Sequence, residues 1–300
     1  MVLSVIGLLF ADLATANVIP HPPVRLPEIT INNDGSISTQ TKFLSRNGNT
    51  YTLTANIQEY PIVIACSNII FDGAGHTINI TSGDNVGLKL QEVSDVTVKN
   101  VKVFSRNIYT IYLYNSYNCE VTGVQTGRSV RVVGGSNNIT KSNTGIYIFT
   151  GSNNLIMRNN ISEVLVGSSS NIFFKNNFYL TDYPSLSGES FWDNGFIGNY
   201  WSNYTIKFPD ASKVGNTGIG DTPYIIEREL YTTKEYPEVK NVDNYPLMYP
   251  YDIEKDEIAL PTIEPKTESL STPLMASIAT VSIIGVAIAL FHYHKHGHKI

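Results

Sequence analysis

Four side chains carry the chemistry that this sequence can offer a partner. Lys89, Tyr112, Arg131 and Tyr147 each stand between two apolar residues, in Leu88-Lys89-Leu90, Ile111-Tyr112-Leu113, Val130-Arg131-Val132 and Ile146-Tyr147-Ile148. Tyr114 and Phe149 follow two residues behind Tyr112 and Tyr147. An aromatic ring presents an apolar face to the C–H side of a pyranose, and cations and amides bind its hydroxyls or a uronate carboxylate. This mixture suits holding a glycan, although the same residue types also suit the exposed face of a sheet with no ligand. Cleaving a polysaccharide asks for more: two carboxylates at a set separation, or a base together with a cation that neutralises a uronate. Glu92, Asp95, Glu120 and Glu163 fall on different repeats or at turns, and Lys99 and Arg128 remain as candidates for a lyase base. Non-catalytic recognition is the leading reading, and a lyase or hydrolase the alternative.

The elements that position these residues repeat. Apolar-variable-apolar triplets begin at Ile62, Leu88, Ile111, Val130, Ile146 and Val164, so the steps are about 26, 23, 19, 16 and 18 residues. A helical repeat needs two amphipathic helices and longer units. These segments are rich in β-branched residues, Asn and Gly and show a period of two, which predicts stacked parallel strands. A polar residue follows each triplet at Asp95, Asn118, Asn138, Asn154 and Asn171, ahead of a second short strand. In stacked coils ~4.8 Å apart the same turn position recurs vertically, and asparagine can hydrogen-bond there in a ladder. The frames SNNLIMRNN at 152–160 and SSNIFFKNN at 169–177 are then corners around a wall. Lys89, Tyr112, Arg131, Tyr147 and Leu165 should form one outward line. Cys66 and Cys119 fall two coils apart, ~10 Å, too far for the ~7 Å limit of a disulfide.

The run from about Ile29 to Leu247 resembles the NosD-like parallel β-helix proteins of archaeal cell surfaces and bacterial periplasms. The opening segment DGSISTQTKFLSRNGNTYTLTANI with NIIFDGAGHTINI is similar to that family's first coil, and FWDNGFIGNYWSNY with TGIGDTPYII and DNYPLM to its C-terminal module. The resemblance implies an all-β, right-handed, single-stranded parallel β-helix, a pectate-lyase-like solenoid of six or seven coils, closed by an aromatic module. Within that module Trp192 and Trp201 either seal the last coil or form a sugar platform. Relatives carry an acidic loop suited to calcium where this chain has DASKVGNTGIGD. Asn216 and Thr217 replace acids, leaving Asp210 and Asp221, fewer carboxylates than calcium prefers. The family name also implies copper delivery, yet His21, His76, Cys66, Cys119, Met157 and Met248 are spread through the sequence and form no copper cluster.

The ends set the expected location. MVLSVIGLLFADLATA, residues 1–16, reads as a secretory signal, and Leu274 to Phe291 as an uncharged run long enough to cross a membrane. Between them lie the solenoid with its opening segment (17–178), the closing module (179–252) and a Pro, Thr and Glu-rich stalk (253–273); a basic, His-containing tail (292–300) follows, placed in the cytoplasm by its lysines. The expected protein is membrane-anchored, with its body outside the cell facing glycans or envelope proteins. Sequons at Asn79, Asn138, Asn160 and Asn203 fit that location. A formal net charge of -5, with Lys and Arg scattered, argues against nucleic acid as the partner.

Overall fold

The computed structural model describes residues 26–38, 42–180, 184–226 and 241–260. The expected signal (1–16), membrane segment (274–291) and tail (292–300) lie outside the described residues, among which no helix is long and apolar enough to cross a membrane. The chain divides into two compact units, Met1–Ala259 and Leu260–Ile300, and everything below concerns the first.

Alternation decides the fold. In the strands Ile62–Ile64, Leu88–Gln91 and Tyr109–Tyr114 the paired apolar residues Ile62 and Ile64, Leu88 and Leu90, and Ile111 and Leu113 are fully buried, while the residue between each pair is half-buried on the outer face. The strands stack parallel and in register, Ile62 on Leu88, Leu88 on Ile111, Ile111 on Val130, Val130 on Ile146 and Ile146 on Val164. The result is an all-β parallel β-solenoid of about seven turns, with one principal sheet of 13 strands and another of 8.

The uneven repeat length has a structural cause. Early coils have a third short wall, in which Thr77–Ile80 pairs with Lys102–Ser105. Lys102 then stacks on Gln125, the first residue of the nine-residue strand Gln125–Val133, whose far end continues the line of Tyr109–Tyr114. One long bent strand thus replaces two strands and their loop, and Asn143–Thr150 and Asn160–Val166 repeat the arrangement. The turn between the two walls shrinks to a bend at Gly127, Gly145 and Glu163.

The corners hold two buried ladders. At the first, the backbone N–H of Cys119 donates to Asn137 Oδ1 (3.0 Å), that of Asn137 to Asn154 Oδ1 (3.0 Å) and that of Asn154 to Asn171 Oδ1 (3.1 Å). At the second, Ser142 N–H donates to Asn159, Asn159 to Asn176 and Asn176 to Asn199, at 3.0 to 3.1 Å. Each oxygen satisfies a buried N–H that water cannot reach. The expected corner series needs correction, because it mixes three successive positions. Asp95, Asn118, Ser136, Asn153 and Ser170 occupy the left-handed position, at φ of 57, 54, 57, 60 and 65°. The ladder runs one residue later, so Asn138 is neither: it is an exposed strand residue stacked between Glu120 and Leu155.

The two ends of the stack are built differently. An antiparallel hairpin, Leu44–Asn47 with Thr50–Leu53, leads into the first coil of the smaller sheet. At the other end Trp192 stacks on Phe173 at 4.4 Å and Trp201 on Phe178 at 4.3 Å, with Tyr224 on Trp201 at 4.4 Å. The tryptophans are 1% and 2% exposed, which corrects their candidacy as a sugar platform: neither offers a ring face to solvent. Their indole N–H groups donate to Asn241 (2.8 Å) and Asp243 (2.9 Å); Asp243 also ends the second ladder by accepting from Asn199, and Asn241 accepts from the Ser190 N–H. A further hairpin, Tyr251–Asp252 with Glu257–Ile258, crosses the boundary drawn at 252, and Tyr251 N–H and C=O pair with the Asn177 amide at 2.6 and 2.8 Å.

Two outcomes follow for stability. Asn137→Ala strands the Cys119 N–H and costs at least ~1–3 kcal/mol in urea unfolding, whereas Asn138→Ala, one residue away, changes it by less than ~0.5 kcal/mol. Equal costs would remove the ladder as the reason for these asparagines. Burial also pushes the fully buried Asp243 carboxyl from 3.8 up to about 7, against the pull of its Trp201, Asn199 and Tyr245 N–H donors. The folded chain therefore binds the proton more tightly, and stability falls as pH rises from about 4 to about 7. Chemical denaturation across that window should show the slope in the parent and a flattened profile in Asp243→Asn.

Candidate functional site

The outward residues of the stacked strands fall into one vertical line: Val63 pairs with Lys89, Lys89 with Tyr112, Tyr112 with Arg131, Arg131 with Tyr147 and Tyr147 with Leu165. Parallel pairing without a register slip at these positions brings together the four residues singled out by type. Lys89 Nζ donates to Gln91 Oε1 at 3.0 Å and lies 5.0 Å from the Tyr114 ring centre, and Tyr112 and Tyr114 meet edge to face at 5.7 Å.

Arg131 is the centre of the face. Its guanidinium carbon lies 4.2 Å from the centre of the Phe149 ring, 4.6 Å from Tyr109 and 4.9 Å from Tyr112. The negative faces of aromatic rings attract a cation at this range. Tyr109 also packs edge to face on Tyr147 at 5.6 Å and on Phe149 at 6.2 Å. Sequence reasoning missed Tyr109. Counting back by twos from Tyr112 makes Thr110 the outward residue, but a bulge between Tyr109 and Ile111 buries Thr110 and turns Tyr109 out. A bulge that depends on the neighbouring coil leaves no mark in a one-strand period.

Glu163 forms the second part of the site. Its carboxylate accepts from Ser129 Oγ at 2.5 Å and from Tyr147 Oη at 2.8 Å, reaching across the intervening coil. The passage exists because residue 145 is glycine: a Cβ there would stand 2.4 Å from Glu163 Cγ and 2.6 Å from Ser129 Oγ. Burial, and then the hydrogen bond to Glu163, push the Tyr147 phenol up to about 12, so it is a donor and not a base. Glu163 also borders a cleft of about 280 Å³ along the bend between the walls, shared with Arg128, Asn143, Asn160 and Tyr179. Glu163 is the one carboxylate lining it.

Other expected residues stand apart. Lys99 is paired with Asp72 at 3.3 Å on the smaller sheet. Glu92 and Asp95 hold left-handed turn positions, and Glu120 faces outward on the smaller sheet. Asp221 accepts from the Ser212 N–H and the Thr222 hydroxyl, each at 3.0 Å, in a turn whose Asp210 is exposed. Among the described residues no three His, Cys, Asp or Glu side chains group as a metal site. Cys66 and Cys119 are free thiols, the second buried. Of the sequons, Asn138 is exposed, Asn79 donates to Gln58 Oε1 (3.2 Å) and Asn203 accepts from Tyr224 Oη (2.9 Å). Asn160 has both ends of its amide engaged, with Asn143 and Asn177 at 2.7 Å, so a glycan there would break an outer ladder.

No family model, no curated protein and no solved structure matches this chain. The geometry of the face is what bears on its role.

If Glu163 sets the phenol as described, Glu163→Gln lowers the Tyr147 pKa from about 12 toward, though not to, the ordinary 10, since burial remains. Titration of ¹³Cζ-labelled tyrosine by NMR reads this directly. A Tyr147 signal that titrates identically in parent and variant would mean the contact does not hold in solution.

Proposed function

We propose that this solenoid is a non-catalytic recognition module of the cell surface whose ring-and-cation face holds an extended glycan. One observation carries the reading: Lys89, Tyr112, Arg131 and Tyr147 stack in register, with Tyr109, Tyr114 and Phe149 packed among them, on the outer side of the larger sheet. A rigid stack presents this chemistry at a fixed repeat. Tyr112 and Tyr147 are two coils apart, ~10 Å, roughly the length of two linked pyranose rings. Rings held by packing lose little freedom on binding, which favours recognition by a prebuilt surface.

The wider setting belongs to the same proposal. An exported chain anchored through 274–291 would carry the face outside the membrane, toward envelope glycans or an envelope protein. A NosD-like assignment is supported by the parallel coils and by the aromatic closing module. Its copper role draws no support from the described residues, where Cys66, Cys119 and His76 form no ligand group. Lyase or hydrolase chemistry draws no support from the cleft, whose one carboxylate is already held by Ser129 and Tyr147.

Retention on immobilised polysaccharides, with product analysis of every polymer retained, tests the reading. Tyr112→Ala combined with Tyr147→Ala should weaken retention about tenfold, as expected for two rings at ~0.5–1.5 kcal/mol each. Phe196→Ala, at an 80% exposed ring of the closing module, should leave it unchanged. Retention indifferent to the paired tyrosine change would move the site elsewhere, and released reducing ends or unsaturated uronate would make the protein an enzyme.

A further inference from the structure

Arg131 is held in place by rings alone. Among the described residues none forms an ion pair with it or accepts a hydrogen bond from its guanidinium, and its Nε is buried without a partner. A buried donor left unpaired is costly, and native structures rarely keep one without a reason. The nearby carboxylate does not supply the missing acceptor: Glu163 is taken up by Ser129 and Tyr147. Lys89, on the next coil but one, has turned to the amide of Gln91. The outer face of the larger sheet therefore holds one guanidinium that is fixed by three rings and has its donors uncommitted.

A guanidinium has a planar fork of N–H donors that matches two oxygens of one oxyanion. Packing among Phe149, Tyr109 and Tyr112 holds the guanidinium in place and reduces its freedom before any ligand arrives. The rings around it offer apolar faces for the rest of a sugar. We infer that Arg131 is the receptor for an oxyanion carried on a sugar, a uronate carboxylate or a sulfate ester, and that the recognition face selects acidic glycans over neutral ones. This rests on the glycan reading above and narrows it to one substrate class. A net charge of -5 means that the chain as a whole does not draw polyanions, so a preference for acidic polymers would have to come from a local site.

The test compares retention of the full-length chain on polygalacturonate, dextran sulfate and neutral dextran. The expected result is retention on at least one acidic polymer about tenfold or more above dextran, weakened by salt. Which acidic polymer is held tells carboxylate from sulfate. Arg131→Gln, shown to be folded by circular dichroism, should lose about tenfold on the acidic polymer and clearly less on dextran. Arg131→Lys keeps the charge without the fork and should fall between the two. Equal retention of dextran and the acidic polymers overturns the oxyanion assignment while leaving glycan recognition standing. Retention of none of the three overturns both. Acidic retention undiminished in a folded Arg131→Gln overturns the assignment to this residue, and if that variant does not fold, undiminished retention by Arg131→Lys does the same.

Discussion

The constraint on which this structure depends is the need to satisfy corner N–H groups in the dry interior of a stack. A solenoid turns its chain sharply several times per coil, and each turn leaves backbone donors pointing at the neighbouring coil and not along a strand. Asparagine solves this with one side-chain oxygen that accepts from the coil before it, while its own N–H is satisfied by the coil after it. A left-handed residue just ahead of Asn137, Asn154, Asn159, Asn171 and Asn176 makes the bend tight enough for that reach. Replace the oxygen with an apolar group and the corner has a buried orphan; move it one residue and it points to solvent, as Asn138 does.

The ring-and-cation face is a by-product of how the coils contract. Fusing two walls into one long strand brings residues from the bend, Ser129 and Glu163, beside residues from the flat wall, Arg131 and Tyr147. Gly145 leaves the gap through which Glu163 crosses. The wall supplies rings at fixed height, and the bend supplies the carboxylate that holds Tyr147 in place and the cleft next to it.

Much of this is legible in sequence because the wall obeys a period of two and the register has no slip at its centre. Leu88-Lys89-Leu90 and its counterparts disclose both the core and the outward line. The hidden parts depend on contacts between coils. Tyr109 faces out only because of a bulge, and Glu163 meets Ser129 only because a glycine lies between them. Whether the asparagine of a pair such as Asn137-Asn138 turns inward depends on a backbone angle one residue earlier, which composition does not encode. Trp192 and Trp201 read first as a plug and second as a platform, since an aromatic cluster is suited to both; their burial and the donation of their indole N–H groups to Asn241 and Asp243 decide for the plug.

The ladders also have a direction. Every rung runs from an N–H on an earlier coil to an oxygen on a later one, from Ser142 through Asn159, Asn176 and Asn199 to Asp243. A coil leaving the ribosome is therefore incomplete until the next has followed it, and the debt moves down the chain to its last acceptor. The closing segment is synthesised after the coils it closes and supplies this ladder's last acceptor, so a chain cut short between Asn159 and Asp243 ends on an open rung.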